Sequence, residues 1–401
     1  MKMPTPGALT GVKVLDISTL FPAPMAAAML GDFGADVVKL EPPEGDPLRV
    51  TGIMAPEGRS YVWAMVDRNK RAIRVDFTRP EGLKLVQRLT AEADVVVLNQ
   101  PVKLLERWGC TYEQISARNP GAIVVYFSGF GASGPYAERA GAGTLGEAFA
   151  GLIHMVGEPG SKPTPPSFPL GDMMGTIAVL LGVLPALYWR DANGGTGQLV
   201  DATMFEGALS MMGPALATWQ PGRPVPTRTG SRLPGAAPRN IYATSDGKWV
   251  ALAAATDNQA ARVIDVIGQA TPENMAKYGL QKNRTRNADE LDALVAEWMK
   301  RHDAKTIVAT LMAARVPISE VNDLPTMLAD PHVQARKAVA TVQDPLVGPV
   351  NMPAPFPKLD KTPGEVRSGG PALGEHTEEI CRDWLGADAA EIARLKAAGA
   401  I

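Results

Sequence analysis

The sequence predicts an α/β protein in which a parallel sheet fills the N-terminal half and a smaller α+β unit follows. Three observations carry this reading. Short apolar strands alternate with helical stretches from Gly11 onward, a proline- and glycine-rich tract interrupts the pattern at residues 221–238, and a second group of helices with one strand comes after it. Short strands separated by helices imply parallel pairing through helical crossovers.

Residues 12–17 predict the first strand, the Ala-rich residues 25–30 a helix, and residues 36–41 a second strand. Residues 81–91 read as a helix, and residues 95–98 and 123–127 as buried strands. Ligands of such sheets sit beyond the carboxyl ends of the strands. The longest uncharged run, residues 173–189, is shorter than the roughly 20 apolar residues of a membrane-spanning helix. It contains Gly175, Gly182 and Pro185, and it predicts a buried helix. Residues 221–238 hold five prolines and three glycines around Arg223, Arg228 and Arg232, a composition that resists helix and marks a connection or a functional loop. Beyond it, residues 248–253 predict a strand, and residues 258–267, 289–301 and 304–314 predict helices. A turn-rich tract at residues 348–357 is expected to cross the surface before a charged helix at residues 387–397.

A chain of 401 residues, 45% hydrophobic and 20% charged, is long enough for two domains with sizeable cores. Forty basic residues against 42 acidic ones leave no excess that would draw the protein to nucleic acid or an anionic membrane. Anionic ligands must therefore be held locally. Cys110 and Cys381 lie far apart with no second Cys or His at metal-ligand spacing, which argues against a disulfide framework or a metal site and suits a reducing cytoplasm. The first seven residues lack the apolar core of a signal peptide.

The four histidines, His154, His302, His332 and His376, lie in no serine-hydrolase elbow or His-Glu-x-x-His pair. The run Gly129-Phe130-Gly131-Ala132-Ser133-Gly134 follows a strand but is one residue short of a dinucleotide fingerprint, so it is either a flexible strand-end loop or a close backbone approach to a bulky ligand. Asp172 follows Gly171 and precedes the long apolar run, which places it at a helix N-terminus. As an N-cap its side chain would accept free backbone N–H groups. The same location favours the ionised carboxylate, whose ordinary pKa of about 3.9 lets it act as a nucleophile at neutral pH without a general base. Glu147, in a small-residue apolar stretch, admits the same two readings, with a cavity-facing role as the functional one. Met173, Met174, Met211 and Met212 read as core filler.

Several segments, taken in order, resemble the class III coenzyme A transferases, the CaiB/BaiF family. They are residues 9–16, residues 30–43, Arg68-Asn69-Lys70-Arg71 with Asp76, residues 94–99 and residues 128–136. The most specific are Pro169-Leu170-Gly171-Asp172 and Gly195-Thr196-Gly197-Gln198-Leu199-Val200-Asp201. The resemblance implies that Asp172 is the nucleophile of a CoA transferase, forming an acyl-aspartyl anhydride and then an aspartyl-CoA thioester. It carries CoA contacts onto the backbone of Phe21 and Pro22, onto Val75, Asp76, Phe77 and Thr78, onto Asn99 and Arg107, and onto Arg139, Ala140, Gly141 and Ala142. Glu147 and Arg232 become candidate substrate residues. No tightly bound cofactor is implied, since acyl-CoA is a substrate.

The family fold implied is a large Rossmann-like domain with a parallel sheet, a smaller α+β domain, and an interlocked homodimer. On this chain the domains are expected at residues 1–224, 225–330 and 331–401, the last completing the large domain. The sequence departs from the family pattern at Pro42, where some members place an arginine, and at Gln100-Pro101-Val102. The loop Gly230-Ser231-Arg232-Leu233-Pro234-Gly235 stands where some transferases have a glycine run, so Arg232 is a candidate partner for a substrate carboxylate. Racemases of the same fold carry Gly-His-Asp after the glycine loop. Here the stretch is Glu138-Arg139-Ala140-Gly141-Ala142-Gly143-Thr144, so racemisation has no such base. Intramolecular CoA transfer and a non-catalytic acyl-CoA-binding role are the remaining alternatives.

Overall fold

The computed structural model describes residues 7–345 and 347–401. Six strands form one parallel sheet: β1 (Lys13–Asp16), β2 (Asp36–Glu41), β3 (Lys70–Arg74), β4 (Val95–Leu98), β5 (Ile123–Ser128) and β6 (Leu199–Thr203). Their order is β3-β2-β1-β4-β5-β6. The register sets Leu15 against Val38 on one side and Val96 on the other.

Apolar side chains point to both faces, as a doubly covered parallel sheet requires. Leu15, Val38, Leu40, Val96, Leu98 and Val124 pack against the helix Pro80–Glu92 through Leu85, Val86 and Leu89. Ile380, Trp384, Ile392 and Leu395 join that layer, so the helices Thr377–Leu385 and Ala389–Ala397 return the chain's end to the first sheet. On the opposite face Val14, Val37, Val95, Val97, Ile123 and Val125 meet Ala23, Ala26, Ala27 and Leu30 of the helix Pro22–Asp32. Val179, Val183, Ala186 and Leu187 of the long helix Leu170–Ala192 complete that layer. Each such side chain contributes about 1.5–3 kcal/mol on burial, so the sheet is a stiff platform for the loops at its edges.

The long helix departs from the expected buried one. It runs 23 residues and is long and apolar enough to cross a bilayer by length and composition alone. Its Gly175, Val179, Val183 and Leu187 face packs inward, while Ile177, Leu181, Leu184, Tyr188 and Trp189 are exposed. An apolar run cannot reveal that one of its faces is left uncovered.

The chain divides into two compact units. One comprises the described residues of Met1–Leu152 together with Pro166–Ala217 and His332–Ile401; the other comprises Ile153–Pro165 and Thr218–Pro331. In the second unit β7 (Arg239–Ala243), β8 (Trp249–Ala253) and β9 (Ile318–Glu320) form an antiparallel sheet. It packs through Val250 and Leu252 on Ile264, Leu291, Val295, Ile307 and Leu311. Ile153–Pro165 joins this unit through bonds such as Gly230 N–H to Gly157 O at 3.0 Å and Arg228 Nη1 to His154 O at 2.9 Å.

The turn-rich tract at residues 348–357 is also a correction. Its first part is β11 (Gly348–Pro353), paired antiparallel with β10 (Val339–Asp344). Val350 and Met352 alternate inward onto Ala64 and Val342, and a two-stranded ribbon has the free edges that tolerate proline.

Candidate active site

The strand order reverses direction between β1 and β4, the point at which open α/β sheets bind their ligands. Asn99, just past β4, spans the loop that follows β1: its Oδ1 accepts from Thr19 N at 2.9 Å and its Nδ2 donates to Thr19 O at 2.8 Å. Phe21 and Pro22 open the next helix, whose first turn lies beside the long helix. Thr176 Oγ1 donates to Pro22 O at 3.0 Å, one helical turn beyond Asp172.

Asp172 lies in the first turn of the long helix, at its third residue, and Pro169 occupies the cap position. It is therefore not the N-cap that the sequence suggested. Its half-buried carboxylate lies against Gly143, where a Cβ would come within 2.7 Å of Oδ2 and 2.9 Å of Oδ1. Gly171 is equally confined, since a Cβ there would meet Gly143 O at 2.5 Å. Only paired glycines let the helix Gly143–Phe149 approach the helix of Asp172 this closely.

That approach brings Glu147 in beneath Asp172. Glu147 is 2% exposed; its Oε1 accepts from Gly171 N at 2.7 Å, and its Oε2 is buried without a hydrogen-bond partner among the described residues. Burial and then the charge of Glu147 raise the Asp172 pKa above the ordinary aspartate value, and only a backbone hydrogen bond from Gly143 pulls it down. A more basic carboxylate is a better nucleophile, and desolvation strips it of the water that would blunt its attack.

The glycine loop after β5 is organised locally. Gly131 N donates to Ser128 Oγ at 2.8 Å, and Ala132 N donates to Asp201 of the Gly195–Asp201 motif at 3.0 Å. The backbones of Gly129 and Gly141 touch, a Cβ on Gly129 falling 2.5 Å from Gly141 Cα. Ala140, Gly141 and Ala142 are exposed, and the Arg139 guanidinium lies over Phe130 at 5.3 Å and Tyr136 at 5.1 Å. Val75 is buried, whereas Asp76 folds back to cap Thr78 N at 2.8 Å. Phe77 stacks on Trp108 with ring centroids 4.4 Å apart, which sets residues 75–78 beside exposed Arg107. These segments follow β1, β3, β4 and β5, and so share the carboxyl edge of the sheet with Asp172.

Arg232 lies in the second unit, where its guanidinium pairs with Asp289 and, at 2.5 Å, with Asp292. A substrate carboxylate would have to displace those partners. Sequence reasoning gave no role to Gly143 or Thr176, and did not bring together the buried charges Asp16, Lys39, Asp46, Asp67 and Lys70 below the β1 loop, although some of them lie in its family motifs. A lysine at position 39, inside an otherwise apolar strand, was the signal for the last group.

The parallel sheet with this switch point carries at its edge a carboxylate, Asp172, seated on glycines and neighboured by Glu147. The model of CoA-transferase family III matches residues 9–377. Succinyl-CoA–D-citramalate CoA-transferase of Chloroflexus aurantiacus is 37% identical over 393 residues, covering 98% of each chain. The succinyl-CoA–L-malate CoA-transferase beta subunit of the same organism is 35% identical, covering 94% of each. Among solved structures, a CaiB/BaiF family protein from Brucella suis superposes with a TM-score of 0.82 at 29% identity, over 94% of this chain and all of that one. The chain belongs to CoA-transferase family III and is a CoA-transferase.

Proposed function

We propose that the enzyme moves CoA from a succinyl-CoA-type donor to a small dicarboxylic acid through covalent intermediates on Asp172. The observation that carries this reading is the Asp172 carboxylate itself: half-buried, raised in pKa, seated on Gly143 and without an ion-pair partner among the described residues. One carboxylate oxygen attacks the thioester carbonyl and CoA leaves as the thiolate, giving an acyl-aspartyl anhydride. The thiolate then attacks the aspartyl carbonyl and expels the donor acid, leaving an aspartyl-CoA thioester. The acceptor carboxylate attacks that thioester, and the released thiolate takes the acceptor acyl group and frees Asp172. The donor, aspartyl and product thioesters are of similar energy, the anhydrides between them are the more reactive intermediates, and covalent catalysis splits the transfer into these steps.

The dicarboxylate assignment rests on the acids named for the two Chloroflexus relatives. A panel of carboxylates offered with succinyl-CoA tests it: diacids should be turned over well ahead of monoacids of equal length, and equal rates would refute it. The anionic CoA tail would be met by Arg107 and Arg139, and Asn99 would line the crevice. The two buried free thiols, Cys110 and Cys381, suit a reducing cytoplasm. The exposed Ile177, Leu181, Leu184 and Tyr188 face supports assembly as a homodimer.

A further inference from the structure

The loop between β1 and the helix Pro22–Asp32 is held by side chains at one backbone group after another. Gln100 Nε2 donates to Ile17 O at 2.7 Å, Asp16 Oδ1 accepts from Ser18 N at 3.0 Å, and Lys39 Nζ donates to Ser18 O at 2.5 Å. Asn99 takes both Thr19 N and Thr19 O. Asp46 accepts from Leu20 N at 3.2 Å while also capping Leu48 N at 2.8 Å. Leu20 has φ +68°, a left-handed conformation that a leucine adopts only under constraint.

The constraint originates in a closed cluster of charge. Lys39 Nζ lies 2.9 Å from Asp46 and 3.6 Å from Asp16, and Lys70 lies 2.8 Å from Asp16 and 2.6 Å from Asp67, all with side chains at most 1% exposed. Replacing buried ion pairs by apolar residues is often neutral or stabilising, so stability alone does not account for such a cluster. One of its members, Asp46, is the group that accepts from the N–H of strained Leu20.

We propose that Asp46 is a positioning residue for the CoA thioester: by fixing Leu20 in its left-handed conformation it sets the backbone of Phe21 and Pro22, one wall of the crevice beside Asp172. This rests on the reading of the enzyme as an Asp172-dependent CoA transferase. Asp46 touches no substrate; it acts through Leu20. A loop set in advance spares the ligand the cost of ordering it, so its loss appears in affinity before chemistry.

Steady-state kinetics with succinyl-CoA varied, alongside thermal unfolding, tests this. Asp46→Ala is expected to raise KM for succinyl-CoA by about tenfold while changing kcat by less than about threefold. Asp46→Asn, which keeps an acceptor for Leu20 N, should recover most of the loss. Leu20→Gly added to Asp46→Ala should recover part of the affinity, because glycine reaches φ near +68° without the steric cost a leucine meets there. Should Asp46→Ala fail to fold, Asp46→Ser, whose shorter side chain withdraws the acceptor from Leu20 N, takes its place in the same comparison. Unchanged KM in a folded variant, or a loss that Leu20→Gly does not reduce, would overturn the proposal. Failure of the functional reading is distinct: the wild type would then transfer no CoA, and calorimetric binding of succinyl-CoA would decide the role of Asp46 by the same pattern.

Discussion

At the scale of single residues, the proposed mechanism rests on three groups: Asp172, Glu147 and Gly143. Asp172→Asn should lower turnover about a thousandfold or more with folding intact, since the nucleophile is lost and nothing replaces it. The pKa of Asp172 is raised by burial and by Glu147, so the acid limb of kcat/KM should lie above the ordinary aspartate value. Glu147→Gln removes the second cause and should move that limb to lower pH, as a pH–rate profile would show; a limb that stays in place contradicts the coupling. Gly143→Ala would drive a methyl to within 2.7 Å of the carboxylate and should cut kcat far more than it lowers thermal stability. The Gly-Asp setting before an apolar run placed Asp172 near a helix N-terminus, and the ordered motifs around it, not that setting, made it the candidate nucleophile. Its environment was not legible in the sequence, because the contact with Glu147 exists only where Gly143 and Gly171 let two helices meet across 24 residues of chain.

At the scale of elements, the strands β1, β2, β4 and β5 could be read closely from apolar runs, because a parallel sheet buried on both faces leaves a dense signal. Other features resisted for physical reasons. The β11 strand carries two prolines that mimic a turn, and its alternation over Val350 and Met352 is short. The buried cluster below the β1 loop draws on residues spread from Asp16 to Lys70, and only folding brings them together. That cluster sets three carboxylates, Asp16, Asp46 and Asp67, against two ammonium groups, Lys39 and Lys70. Burial foremost, with Asp16 and Asp46 adding to it against Lys70 and Lys39, raises the Asp67 pKa from 3.8 to about 6, and its Oδ2 has no hydrogen-bond partner among the described residues. Because the folded-state value is the higher one, ionising Asp67 costs stability as pH rises from about 4 to about 6, and the full cost persists above that. Asp67→Asn should therefore gain in melting temperature relative to the wild type as pH rises from about 4 to about 6 and keep that gain above it; a difference that does not change across that window would contradict this.

At the scale of the whole molecule, the long helix carries Asp172 in its first turn, and its outer face, the proposed homodimer contact, leaves Leu181 69% and Tyr188 78% exposed. Leu181→Glu should convert a homodimer to monomers in sedimentation analysis, and an unchanged sedimentation coefficient would place the interface elsewhere. Neither the exposure of that face nor the pairing of Arg232 with two aspartates could be seen in the sequence, because both depend on what the fold places nearby. The most direct test of the central claim is to incubate the protein with succinyl-CoA, quench with hydroxylamine and locate the modification by peptide mass spectrometry. A covalent aspartyl intermediate predicts a hydroxamate at Asp172 that is absent from Asp172→Asn. An unmodified Asp172 in enzyme that is turning over would contradict it.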